Sequence, residues 1–185
     1  KTAEEAYSKV IASAGAEAEA TETITVDNVA PTNLSISPLG EIDENGFAQL
    51  NFTFDDPGTL DTHTVEVDWG DGGAVETFQL SPGVRFFSTT HQYLDDNPTQ
   101  TSEDLYTVGV RLIDDDGGTA TGAQTVLVRN VGPMLLPFDA IDPIEENQRL
   151  ELDFGFVDPG TLDSHAYQID WGDGLVASGA VAGRA

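Results

Sequence analysis

The stretch DPGTLDTHTVEVDWGDGG, Asp56 to Gly73, returns as DPGTLDSHAYQIDWGDGL, Asp158 to Leu175. The offset is 102 positions (158 − 56). It also links DNVAPT at Asp27–Thr32 with RNVGPM at Arg129–Met134, and IDEN at Ile42–Asn45 with IEEN at Ile144–Asn147. Leu50, Phe52 and Phe54 reappear as Leu152, Phe154 and Phe156. No insertion or deletion breaks the register. A repeat of this length is of domain size, not a short solenoid period.

The segment Thr2–Val10 is similar to Thr101–Val110, with Tyr7 matching Tyr106 at an offset of 99 (106 − 7). The first copy is therefore three residues shorter, in the loop that holds Asp114, Asp115 and Asp116 in the complete copy. The chain reads as the last strands of a preceding copy (1–27), one complete copy (28–130) and the first strands of a following copy (131–185). Val84–Thr99 occurs once. Fragments completing one another tail to head would lack that stretch, and a strand with it, so continuous tandem copies in a longer parent chain are expected.

Charge narrows the partners. The chain carries 33 acidic and 7 basic residues, a formal charge of −26. The complete copy has 17 acids and 3 bases, so each unit is acidic in itself. Nucleic acid needs clustered Lys and Arg and is not an expected partner. An anionic membrane surface fails for the same reason, and no apolar run is long enough to insert. Divalent cations suit such a surface. Without Cys there is no disulfide framework and no thiolate metal site.

The local patterns are those of strands. AQLNFTF puts Leu50, Phe52 and Phe54 on one face, TVEVDWG does so with Val65, Val67 and Trp69, and LYTVGVRLI with Tyr106, Val108, Val110 and Leu112. Alternation of period two means one face buried and one wet, and the intervening turns are rich in Gly, Asp, Asn and Pro. About seven short strands per roughly 100 residues imply an all-β, two-sheet sandwich. Trp69 and Trp171 are expected in the core. Residues 3–12 and 20–26 are expected as a strand pair, although AEEAYSKVIASAGAEAEA has helical composition.

VDWGDGG, HQY at His91–Tyr93 and YTVGVRLIDDDGGTATGAQTVLV together resemble the polycystic-kidney-disease (PKD) domain family. The resemblance implies an immunoglobulin-like β-sandwich in tandem array, of the kind found in large bacterial and archaeal surface proteins, with structural or interaction roles rather than catalysis. The DPGTLDTH element departs from the family's pattern.

The acids of that element invite a metal reading. Asp56, Asp61, Asp68 and Asp71 lie within 16 residues, and Asp158, Asp163, Asp170 and Asp173 copy them. Calcium takes six to eight oxygens, which acidic turns supply. The plainer alternative is a solvated hairpin whose Asp side chains cap their own turns. The junctions offer further ligands. Asp27 and Asn28 before Pro31 resemble the calcium-sharing linkers of cadherins, and Asn130 repeats Asn28. Asp43, Glu44 and Asn45, their copies Glu145, Glu146 and Asn147, and the Asp114–Asp116 loop complete the candidate set. Arg129 in place of Asp27 makes the second junction unlike the first. Three His and no Cys make zinc improbable; His63 and His165 are expected to bond turn carboxylates.

No phosphate-cradling loop, nucleophile elbow or zinc motif is present. Carboxylates that recur with the structural period do not resemble a catalytic pair, and no enzymatic activity is expected. The expected role is a structural segment of an extracellular fibre, adhesin stalk or surface-layer-like protein, stiffened by calcium, with neighbouring copies or a lateral or end-to-end homopolymer as partners. The alternative is a glycan- or protein-binding module of an exported protein.

Overall fold

In the computed structural model residues 3–13, 16–96, 101–137 and 143–181 are described, those up to Ile24 as backbone. The chain is all-β. In order the strands are β1 (Ala3–Ser13), β2 (Ala16–Val26), β3 (Thr32–Ile36), β4 (Glu41–Asp43), β5 (Phe47–Asp55), β6 (His63–Asp68) and β7 (Glu76–Leu80). They continue with β8 (Phe86–Gln92), β9 (Glu103–Asp114), β10 (Thr119–Arg129), β11 (Met134–Leu135), β12 (Phe156–Val157), β13 (His165–Asp170) and β14 (Val176–Val181).

A five-stranded sheet runs β4-β10-β9-β6-β7, and a three-stranded sheet runs β3-β5-β8. Strand β4 joins β10 in parallel, while β6 is antiparallel to both β9 and β7. The remaining strands form two-stranded sheets. Strands β1 and β2 pair antiparallel from Ala3 opposite Val26 to Ser13 opposite Ala16. Helix propensity in this Ala- and Glu-rich segment is thus overridden by pairing, as a weak local preference is.

The sequence copies fold alike in part: the equivalents of β4 (143–145) and of most of β5 (149–155) are not strands, but other elements recur. Met134 faces Val157 and Leu135 faces Phe156, the first being the Thr32–Asp55 pairing shifted by 102. Strand β13 covers the same six positions as β6. One register differs: His63 lies opposite Leu80, whereas His165 lies opposite Val181, one position short of the equivalent of Leu80.

The chain divides into two compact units. The first comprises Lys1–Ser37, Leu50–Thr89 and Thr107–Gln124. Here the two sheets meet face to face in a sandwich-like arrangement. Phe52 and Phe54 of β5 lie 5.3 Å from Phe87 of β8 and 4.8 Å from His63 of β6, respectively, between ring centroids. Phe87 also meets Phe78 of β7 at 4.9 Å. Val65, Val67, Trp69, Val108, Val110 and Leu112 are buried with them. Burying a Val, Leu or Phe side chain fully contributes about 1.5–3 kcal/mol, so this alternation supplies the driving force of the fold. After Trp69 the chain turns through Gly70 at φ 77°, where a Cβ would strike the Thr107 carbonyl, so glycine is required on both counts.

The second unit comprises Pro38–Gln49, Thr90–Tyr106 and Thr125–Ala185. Tyr93 and Tyr106 pack at 4.8 Å, the Tyr93 N–H donates to the Gly46 carbonyl and the Tyr106 hydroxyl donates to the Asp95 carbonyl. Ala48, Val126 and Val128 are buried. By contrast Leu135, Leu152, Phe154, Phe156, Tyr167 and Ile169 line an open apolar groove of ≈ 380 Å³. Trp171 is 38% exposed where Trp69 is 2% exposed. The reason is the sheet: among the described residues β13 has only β14 beside it, whereas β6 lies between β9 and β7. Among the described residues no helix is long and apolar enough to cross a membrane.

Truncating a buried ring costs its transfer energy plus the cavity left behind. Phe52→Ala should therefore lower the unfolding free energy by about 3–5 kcal/mol. Phe154→Ala, at the equivalent position on the open groove, should cost less than half of that in this chain. Urea titration of both variants checks the difference.

Candidate metal centre

Many of the acids picked out by sequence accept hydrogen bonds from the protein's own donors. Asp56 Oδ1 accepts the Gly58 N–H at 2.7 Å and its Oδ2 accepts from His63 Nε2 at 2.7 Å. Both side chains are fully buried. The Arg85 guanidinium donates to the carbonyls of Asp56 and Gly58 and lies over the Phe54 ring, pinning the same loop. The next copy repeats the bonds: Asp158 accepts from Gly160 N–H at 3.1 Å and from His165 Nε2 at 2.6 Å. The aromatic contact recurs too, with Phe156 at 4.6 Å from His165.

The WGDG turns work in the same way. Asp68 and Asp71 accept from the N–H groups of Gly70 and Gly73, and Asp170 and Asp173 from those of Gly172 and Leu175. These are Asx turns. Asp114 Oδ1 accepts from the N–H groups of Asp116 and Gly118, and its Oδ2 accepts from Asn28 Nδ2 at 2.9 Å. An amide–carboxylate bond thereby ties the segment read from sequence as the first junction to the Asp114 loop. At the second, the Asn130 N–H donates to the Ser102 carbonyl. Arg129 pairs with Glu41 at 2.8 Å, with Glu103 at 4.0 Å. Asp27, Asp43, Glu145 and Glu146 are exposed. Asn45 and Asn147 adopt positive φ in matching turns, and Asn45 accepts from Gln92 Nε2.

Two groups of acids remain that converge. Asp61, Asp115 and Asp116 bring one oxygen each within 4.8 Å of one another in the first unit, with Asp115 and Asp116 exposed. In the second unit Glu44, Asp95, Asp96 and Asp163 do the same. Glu44 follows β4, Asp95 and Asp96 follow β8, and Asp163 closes the DPGTLD loop before β13. Glu44 is 2% exposed and Asp96 5%. Glu44 Oε1 accepts the Val131 N–H at 2.6 Å, which fixes the side chain. Glu44 Oε2 and Asp96 Oδ2 have no hydrogen-bond partner among the described residues. Asp163 also lies beside Asp158 and His165. Asp95, Asp96, Asp158 and Asp163, without Glu44, border a polar cleft of ≈ 370 Å³ shared with Thr101 and Asn130.

Crowding perturbs these carboxyls. Burial raises the pKa of Glu44 above the usual 4.5; the Val131 N–H partly opposes this, and Asp163, Asp158 and Asp96 add to it. Burial, then hydrogen-bonding contact with Asp95, raises Asp96 above 3.8. Burial, then Asp95 and Asp158, raises Asp163, with His165 opposing. Each charged form is disfavoured by desolvation and by like charge.

Of the sequence-derived candidates, only Glu44 and Asp163 enter this group. Asp95 and Asp96 had no repeat to draw attention to them, because they lie in the stretch that occurs once; their signal is the adjacent acid pair in YLDDNP. Comparison with known proteins finds no matching family model and no matching curated protein.

A carboxyl whose pKa is higher folded than unfolded holds its proton more tightly in the native state. Its contribution to stability is therefore complete below the unfolded pKa and is lost as pH rises through the folded one. In chelator, the melting temperature should fall as pH rises from about 4 toward neutrality. The double variant Glu44→Gln/Asp96→Asn should flatten that slope; an equal slope in both proteins would refute the assignment.

Proposed function

We propose that this chain is a non-catalytic structural segment of an extracellular tandem-repeat assembly, a fibre, adhesin stalk or surface-layer-like protein. On this reading the repeats are PKD-like, immunoglobulin-like sandwiches. Their divisions fall near residues 27 and 130, and calcium at acidic loops and junctions holds neighbouring copies together. The partners are adjacent copies of the same polypeptide, or further chains in a lateral or end-to-end homopolymer.

The observation that carries this reading is what recurs at the 102-residue offset. The Asp–His bond, the Asx turns and the Phe–His contact appear in both copies. Each fixes a turn or packs a core. The open apolar groove beside β13 supports the same view, since its residues Leu152, Phe154, Phe156, Tyr167 and Ile169 correspond to Leu50, Phe52, Phe54, Val65 and Val67, which are buried in the complete copy. Charge supports the cation: 14 net negative charges per copy (17 − 3) repel one another unless a counter-ion binds. An ion that binds only the folded form stabilises it by mass action.

Phe86 is 54% exposed beside buried Phe87, and this outward aromatic favours the second reading, a glycan- or protein-binding module. Pull-down on a polysaccharide panel separates the two.

Excess chelator at low salt should lower the melting temperature of this chain markedly, and calcium should restore it. Electron microscopy of the native particle should show an array with an axial repeat of about 40 Å per copy, the length of a sandwich at ~3.3 Å per strand residue. Isolated globules, with a melt indifferent to chelator, would sink the reading.

A further inference from the structure

We propose that Glu44, Asp95, Asp96 and Asp163 form one binding site for a calcium ion that clamps the DPGTLD loop of one copy onto the preceding copy. The inference rests on the cation-held tandem reading above and names the residues that carry it.

Distance is the first argument. Oxygens bound to one calcium ion at 2.3–2.6 Å can be no more than about 5.2 Å apart. One oxygen from each of the four acids lies within 4.8 Å of every other. Four carboxylates leave two to four positions of a six- to eight-coordinate ion for backbone oxygens or water.

Burial is the second, independent argument. Exposed acidic clusters are common and need no ligand, but this one is not exposed. Glu44 and Asp96 are each more than nine-tenths buried, and each keeps one oxygen without a hydrogen-bond partner among the described residues. A buried carboxylate oxygen left without a donor is among the costlier features a fold can carry. Elsewhere in this chain the buried acids Asp114 and Asp158 are supplied with N–H donors. Glu44 cannot turn away, because Val131 N–H holds its other oxygen. Its free oxygen and Asp163 Oδ2 face the same place: a Cβ on Gly160 would collide with both. Glycine at that position lets the loop approach the acids this closely.

The ligands come from two sequence copies. Glu44, Asp95 and Asp96 lie in the complete copy, and Asp163 lies in the next, equivalent to Asp61. The ion would thus neutralise carboxylates that both copies contribute.

Calorimetric titration of the whole 185-residue chain, stripped of metal, with calcium chloride tests the site. Wild type should bind calcium. Glu44→Gln and Asp96→Asn should each weaken the tightest step by roughly tenfold or more, since oxygen sites are tuned by ligand charge. Asp153→Asn, exposed and outside the cluster, should leave it unchanged. Circular dichroism in chelator serves as the folding control, and both cluster variants should melt higher than wild type there, having lost a repelling charge. Undiminished binding by both variants overturns the site while leaving calcium dependence in place. No calcium binding by wild type overturns both. Variants that melt lower or unfold without metal also overturn the site, because their carboxylates would then be serving the fold in some other way.

Discussion

Water must be kept from an acidic chain's core without leaving carboxylates stranded there, and this constraint shapes the structure more than any single contact. Of the 33 acids in 185 residues several are buried, among them Glu44, Asp95, Asp96, Asp104, Asp114 and Asp158. Most are paid for in hydrogen bonds. Asp56 spends one oxygen on a turn N–H and the other on an imidazole; Asp158 does the same. Asp114 gathers three donors, one from the junction residue Asn28. Removing the acid at such a site would strand its donors, so the acid and the turn are one unit.

The same rule explains why acidity alone is a poor guide to metal. Asp68, Asp71, Asp170 and Asp173 are spaced like ligands, yet each is committed to the amide two residues on. What distinguishes the Glu44–Asp95–Asp96–Asp163 group is an imbalance of donors: several buried oxygens and too few N–H groups. That property belongs to the folded arrangement, since it depends on which backbone amides end up nearby.

The fold was legible because its signals are local and repeated. Alternation in Leu50–Phe54, Val65–Trp69 and Tyr106–Leu112 marks strands whatever they pack against, and the 102-residue offset multiplies each signal. The strand pair at the N-terminus was legible only through its match to Tyr106, against its own helical composition. The site was legible in part. Glu44 and Asp163 stood out through their copies, while Asp95 and Asp96 occur once and are joined to Asp163 only by folding. Trp171 shows the limit of arguing by copy: the same residue at the end of the same strand is more exposed because, among the described residues, β13 pairs with β14 as β6 pairs with β7 but has no counterpart of β9 on its other side.

The matched pairing of β3 with β5 and of β11 with β12 has a genetic corollary. Because equivalent residues meet in equivalent places, a crossover between two copies at any aligned codon joins halves that already fit. Such an exchange changes the length of the polypeptide by whole 102-residue units. On the tandem reading proposed above, copy number changes in this way while the strand pairing within each copy stays the same.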